Sequence, residues 1–226
     1  MLRAIIFDFN GVLVNDEPIH LELFQKVLRE EGITVSEKDY YERYLGMDDR
    51  GCFKAVYHDC GRQLSNPSLA DLIQRKATYY RETIKNKVAV FPGVKQLVPF
   101  LASRFPLAIA SGALKGEIKM ILDHLDLRQY FRVIVSAEDV NEGKPHPEIF
   151  NKALSLINEN QSDHPIQPLE CLVIEDSKEG LEGAHRAGMK CLAVANSHPA
   201  KELNAAEAVV NGLNEVTETF LEQLLS

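Results

Sequence analysis

Five short apolar runs punctuate the chain, and none of them alternates with polar residues: Ala4-Ile5-Ile6-Phe7, Leu107-Ala108-Ile109-Ala110, Val133-Ile134-Val135, Leu172-Val173-Ile174 and Leu192-Ala193-Val194. A strand with one wet face alternates, so unbroken runs suit strands covered on both faces, as in a parallel sheet between helices. Helical spacing fills the gaps. Ile118, Ile121, Leu122 and Leu125 share one face of Lys115 to Leu125, and Ile149, Phe150, Ala153, Leu154 and Ile157 share one face of Pro147 to Ile157. Strand alternating with helix predicts right-handed βαβ units and an α/β fold with a doubly wound parallel sheet.

One stretch breaks the rhythm. From about Asn15 to Val90 the pattern is helix after helix, with Ile19, Leu23, Phe24, Val27 and Leu28 on one segment and Leu72, Ile73, Lys76, Ala77, Tyr80 and Ile84 on another. Pro18 stands near a helix start and Gly32 just past its end. The predicted organisation is a Rossmann-like core from residues 1–14 and 91–226, with an inserted α-helical cap domain at 15–90. Phe91-Pro92-Gly93-Val94 turns the chain back into the core. Asn158 to Pro168, polar with two prolines, reads as a surface loop.

Composition bounds the partners. A formal net charge of −8 repels nucleic acid and anionic membrane surfaces, so an anionic substrate needs a local cation to hold it. No run reaches the roughly 18 apolar residues that span a bilayer. Cys52, Cys60, Cys171 and Cys191 show no CxxC pair and no zinc spacing. A cytoplasmic, monomeric protein with reduced thiols is expected, with no nucleic-acid and no membrane partner.

In doubly wound sheets ligands bind beyond the carboxyl ends of the strands, so the run ends are where chemistry is expected. The first run ends in Asp8-Phe9-Asn10-Gly11, a buried carboxylate that needs a partner or a metal, unless it only caps its loop. The second ends in Ser111-Gly112, a hydroxyl and N–H groups suited to a phosphate oxygen, though Ser is also an ordinary N-cap. The third leads to Gly143-Lys144-Pro145, where Lys144 presents an ammonium or lies solvated on the surface. The fourth ends in Glu175-Asp176-Ser177, adjacent carboxylates that repel each other without a cation such as Mg²⁺. Together these residues make a set for phosphoryl transfer.

The same residues resemble the haloacid dehalogenase superfamily of phosphatases and phosphomutases, over nearly the whole chain. Asp8-Phe9-Asn10-Gly11-Val12-Leu13 is similar to its first motif, Ser111 to its second, Lys144 in GKPHPEIF to its third and Glu175-Asp176-Ser177 to its fourth. Gly180, Ala184 and Ala187-Gly188 are similar to the segment that follows. The helical insert and Asp16-Glu17-Pro18-Ile19-His20 resemble the small cap of the beta-phosphoglucomutase-like group. The resemblance implies that Asp8 attacks the phosphorus of a small phosphate ester and forms an aspartyl-phosphate. It implies Mg²⁺ held by Asp8, the carbonyl of Asn10 and Asp176, with Glu175 as a direct or supporting ligand. Ser111, Gly112 and Lys144 would bind the phosphate, and Lys144 would also pair with Asp8.

Asn10 departs from the family pattern. Family phosphatases usually carry Asp there as general acid and base, whereas Asn has no transferable proton. General acid–base help is worth about 10²- to 10⁴-fold, so alkyl phosphate turnover is expected to be slow. An engineered trap, an attenuated natural enzyme, or compensation by His20 or a substrate group would each account for it. In the cap, Gly46-Met47-Asp48-Asp49-Arg50 stands where relatives carry a specificity loop, so Arg50 is a candidate for a second anionic group; the segment reads equally as a helix start. Tyr79, Tyr80 and Phe53 read as cap core, and Lys115 as a helix-start lysine close to Ser111. The expected activity is that of a sugar-phosphate phosphatase, with a phosphomutase, a non-catalytic phosphometabolite sensor and a metal-free dehalogenase as competing readings.

Overall fold

A computed structural model describes residues 2–45, 47, 49–159 and 164–225. The chain divides into two compact units, Met1–Asn15 with Val88–Ser226, and Asp16–Lys87. The first unit contains strands β1 (Ala4–Phe7) and β2 (Val14–Asn15), and the second contains helices α1 (Glu17–Glu30), α2 (Glu37–Arg43), α3 (Asp49–Asp59) and α4 (Asn66–Lys87). The first unit then resumes with β3 (Ala89–Val90), α5 (Val94–Ala102), β4 (Leu107–Ala110), α6 (Lys115–His124), β5 (Phe131–Val135) and α7 (Glu148–Asn158). It closes with β6 (Cys171–Glu175), α8 (Lys178–Arg186), β7 (Lys190–Val194), β8 (Ala208–Val210) and α9 (Glu218–Leu225).

Six strands of the first unit form one parallel sheet in the order β5-β4-β1-β6-β7-β8. Numbered along the chain, that is the doubly wound order 3-2-1-4-5-6, which bears out the predicted fold class. The winding reverses around β1, where Ile5 lies opposite Leu107 on one side and Leu172 on the other. The reversal opens a crevice at the carboxyl end of β1, and Asp8 is the first residue beyond that strand.

Both faces of the sheet are covered, which explains the unbroken runs. Ala4, Ile6, Ala108, Ala110 and Val173 pack with Ile149, Phe150, Ala153 and Leu154 of α7 and Leu181 and Ala184 of α8. Ile5, Phe7, Leu107 and Ile109 alternate with them onto the opposite face and are equally buried. Helices α5 and α6 bury Val94, Leu97, Val98, Leu101, Ile118, Ile121 and Leu122. Gly93, before α5, has φ +91°, and a Cβ there would come within 2.4 Å of the Asn214 backbone nitrogen. Only glycine makes that turn back into the sheet unit.

The second unit is all helix, with α1 and α3 packed on α4. Its core joins Phe24, Val27 and Leu28 of α1 to Phe53 and Val56 of α3 and Leu69 and Leu72 of α4. Pro18 lies in the first turn of α1, and Gly32 at φ +70° follows its end, where Ile33 N–H donates to the Leu28 carbonyl. Phe53 and Tyr80 are buried, and Tyr79 is partly buried against the same core. Cys52, Cys171 and Cys191 are buried free thiols, and Cys60 is an exposed one. Of the polar stretch 158–168, Asn158 ends α7 and residues 160–163 lie outside the described residues.

Candidate active site

Strand ends and one loop of the sheet unit bring four of the predicted residues together, Asp8, Lys144, Glu175 and Asp176. Asp8 extends β1, its N–H donating to the Ile174 carbonyl at 2.9 Å, so its side chain is fixed by the ladder itself. Glu175 is the last residue of β6 and Asp176 follows it; both are buried, as is Asp8. Each of the three carboxylates offers an oxygen, and these oxygens lie within 4.8 Å of one another. Lys144, in the loop before α7, places its ammonium 2.5 Å from Asp8 Oδ1 and 2.5 Å from Glu175 Oε1. It is thus drawn into the crevice, not solvated.

Glu175 is tied from both oxygens. Oε1 takes Lys144, while Oε2 accepts from the Asp176 N–H at 2.9 Å, the Ser177 N–H at 3.1 Å and the Ser177 hydroxyl at 2.8 Å. The Ser177 hydroxyl in turn accepts from the Gly180 N–H at 3.1 Å and caps α8. A Cβ on Gly180 would come within 1.9 Å of Glu175 Oε1, and one on Gly11 within 1.9 Å of Asp176 Oδ2. Both glycines are required by close approach to a site carboxylate.

Three carboxylates face one ammonium, and the titration reflects that imbalance. Burial pushes the Asp8 carboxyl up to about 7; the charge of Lys144 pulls it down and that of Glu175 pushes it further up. Asp176 is raised well above the carboxylate range by burial, then by Glu175 and Asp8. Burial works against the Lys144 charge, but Asp8 and Glu175 outweigh it and hold its pKa above the ordinary lysine value. A buried acidic set that ionises reluctantly is what a divalent cation relieves, so these residues fit Mg²⁺.

Ser111 is buried at the end of β4, its N–H bonded to the Val135 carbonyl at 3.0 Å. Its hydroxyl accepts from the Ala113 N–H at 3.1 Å and lies 3.5 Å from Asn10 Oδ1. It is not the cap of α6, whose N-cap is Leu114, and Gly112 beside it is exposed. Lys115 is drawn away from this point: its ammonium pairs with Asp139 at 2.7 Å.

His20 and Arg50 belong to the helical unit. The His20 ring stacks on Tyr80 with centroids 4.7 Å apart, its Nε2 lies 3.0 Å from Asp16 Oδ2 and its Nδ1 2.8 Å from the Lys76 ammonium. An ammonium can only donate, so Nδ1 accepts and the ring proton sits on Nε2, donated to Asp16. Lys76 also pairs with Asp49, and the Tyr80 hydroxyl donates to Asp16 Oδ2 at 2.5 Å. Both ring nitrogens of His20 are therefore engaged inside its own unit. Arg50 is exposed in the first turn of α3; Gly46 and Asp48 of the predicted loop lie outside the described residues.

Sequence reasoning passed over Asn196 and Ser197. The Ser197 hydroxyl donates to Asp176 Oδ2, and the Asn196 amide donates to the Gly11 carbonyl at 2.7 Å. They follow β7, so the rule that singled out four run ends points equally to the fifth.

Residues 5–194 match the family described as haloacid dehalogenase-like hydrolase, and the chain belongs to that family. A phosphorylated carbohydrates phosphatase of Thermotoga maritima is 31% identical over 84% of this chain and 83% of its own length. The chloroplastic 5-amino-6-(5-phospho-D-ribitylamino)uracil phosphatase of Arabidopsis thaliana is 29% identical over 97% of this chain, which spans only 57% of that protein. The solved beta-phosphoglucomutase of Clostridium difficile superposes with a TM-score of 0.84, covering 100% of this chain and 97% of its own, at 22% identity; the likeness is one of fold.

Proposed function

We propose that this chain is a Mg²⁺-dependent phosphatase of small phosphorylated metabolites, sugar phosphates foremost, with Asp8 as the nucleophile. The observation that carries this reading is the buried group of Asp8, Glu175 and Asp176, with one ammonium paired to the first two. Relatives that are phosphatases of phosphorylated carbohydrates and of a phosphoribitylamino compound support the substrate class. Mg²⁺ would be held by Asp8, the Asn10 carbonyl and Asp176, with Glu175 in support, and when bound it would neutralise the acidic group and attract the phosphate.

In this reading Glu175 orients: its donors fix it as the anchor that keeps Lys144 against Asp8. Lys144, the Ser111 hydroxyl and the Gly112 N–H hold the phosphate oxygens. An Asp8 oxygen forms a bond to phosphorus as the ester P–O bond breaks, and the electron pair leaves on the alcohol oxygen, which takes its proton from solvent. Water then attacks the phosphorus of the aspartyl-phosphate, releasing inorganic phosphate and restoring Asp8. Asn10 cannot give the departing oxygen a proton, so esters with basic leaving groups turn over slowly.

The test incubates the chain with Mg²⁺ and acetyl phosphate, then locates phosphate by peptide mass spectrometry, with Asp8→Asn as control. Phosphate on Asp8, with p-nitrophenyl phosphate hydrolysed faster than sugar phosphates, is expected. No phosphorylated Asp8 and no turnover across a sugar phosphate panel would defeat the reading. Phosphate returning to another hydroxyl of the same sugar would replace it with a mutase.

A further inference from the structure

The geometry points to Ser197, on the loop after β7, as a positioning residue for the metal site, acting through Asp176 and resting on the reading above. Its hydroxyl donates to Asp176 Oδ2, the same oxygen that packs against Gly11. That bond occupies Oδ2 and leaves Oδ1 as the oxygen to face a cation. Fixing one oxygen of a carboxylate sets the plane and direction of the other.

The neighbouring residue completes the arrangement. The Asn196 amide holds the Gly11 carbonyl at 2.7 Å, one peptide beyond Asn10, whose own carbonyl is a proposed ligand. Two consecutive residues after β7 thereby hold both sides of the cation site: the loop leaving β1 and the carboxylate leaving β6. A neutral hydroxyl does this without adding charge. A lysine or arginine in that place would satisfy Asp176 electrostatically and compete with the cation. Supporting partners of this kind are worth about 10- to 100-fold in metal affinity.

The test titrates Mg²⁺ alone into the intact chain and into Ser197→Ala, Ser197→Thr and Asp176→Asn by isothermal calorimetry, with thermal unfolding in chelator as the fold control. Thr keeps the hydroxyl that Ser197→Ala removes, and Ser197 is only partly buried. Ser197→Ala is expected to weaken Mg²⁺ binding about tenfold, Ser197→Thr to restore it, and neither to lower the metal-free melting temperature appreciably. Unchanged affinity in Ser197→Ala, or equal loss in the Ala and Thr variants, would overturn the proposal while the metal reading stands. An unaltered chain that binds no Mg²⁺, like Asp176→Asn, would overturn the reading beneath it.

Discussion

The hydroxyl of Ser111 faces the side-chain oxygen of Asn10 at 3.5 Å, so Asn10 borders the hydroxyl proposed to bind phosphate. Asp is nearly isosteric with Asn, and Asn10→Asp would put a transferable proton at that point with little change of shape. Turnover of an alkyl phosphate is expected to rise by about 10² or more, and of p-nitrophenyl phosphate far less, because its leaving group is stable without a proton. Steady-state kinetics on the two substrates separate the outcomes. An equal rise for both would assign the effect to binding.

The raised carboxyl of Asp8 gives a stability signature with a defined sign. Its pKa is about 7 in the fold against 3.8 as a free group, so the folded state keeps a proton that the unfolded chain has released. Stability therefore falls as pH rises from about 4 through about 7, and the loss is complete above that. In chelator, the melting temperature of the chain should drop between about pH 5 and pH 8 relative to Asp8→Asn, with Asp176 adding to the same trend in both. Saturating Mg²⁺ should flatten the difference. Calorimetry in buffers of different ionisation heat should show proton release on Mg²⁺ binding at about pH 6, where Asp8 is still protonated.

Much of this was legible in the chain because burial on both faces leaves an unbroken apolar run, and each such run is a strand of the sheet. What escaped has physical reasons. The sixth strand, Ala208–Val210, lies at the sheet edge with Ala208 and Val209 only partly buried, and its apolar run was passed over although runs of the same length were read as strands. Helix α2 buries only Tyr40 of its seven residues, so it has no stripe to read. Lys76 sat within an apolar stripe without explanation, and only the fold shows Asp49 and His20 around its ammonium. The site residues are visible as run ends, but Lys144 reaches Asp8 and Glu175, and Ser197 reaches Asp176, from segments far apart in sequence, and no local pattern encodes that.

Gly180 sets two effects against each other. Ala is favoured over Gly in a helix by about 1 kcal/mol, and Gly180 lies in the first turn of α8. A Cβ within 1.9 Å of Glu175 Oε1 demands movement of a carboxylate bound by Lys144 and Ser177, an overpacking cost of roughly 1 to 3 kcal/mol or more. The clash wins. Gly180→Ala should lower the melting temperature and weaken Mg²⁺ binding together, and a more stable variant would contradict the geometry.

In the helical unit, Lys76→Met removes the donor shared by His20 and Asp49. Asp49 is part-exposed and can rehydrate, while Asp16 keeps His20 and Tyr80, so the loss falls below the roughly 3 to 5 kcal/mol of a fully orphaned buried pair. A cost of about 1 to 2 kcal/mol is expected. Hydrogen exchange should speed up across α1 and α4 and stay unchanged in the sheet. Acceleration in the sheet alone would rule out the cluster as the source of stability.

Asp139 provides a stability test away from the carboxylate cluster. It follows β5, accepts the Ser136 N–H at 2.9 Å and hydroxyl at 2.7 Å, and pairs with Lys115 at 2.7 Å. Burial opposes its charge, but Lys115 and Ser136 outweigh it and hold the carboxyl down at about 2. A depressed carboxyl contributes stability above its unfolded pKa near 4, and that contribution is lost as pH falls through about 2. A shift of that size carries at most about 2.5 kcal/mol, and partial exposure reduces it to about 1 to 2. Urea unfolding near neutral pH should show Asp139→Asn less stable by that amount, with the gap to the unaltered chain narrowing toward about pH 2. A gap that persists unchanged at low pH would assign the loss to packing around Ser136, because protonation would by then have removed the charge that the substitution removes.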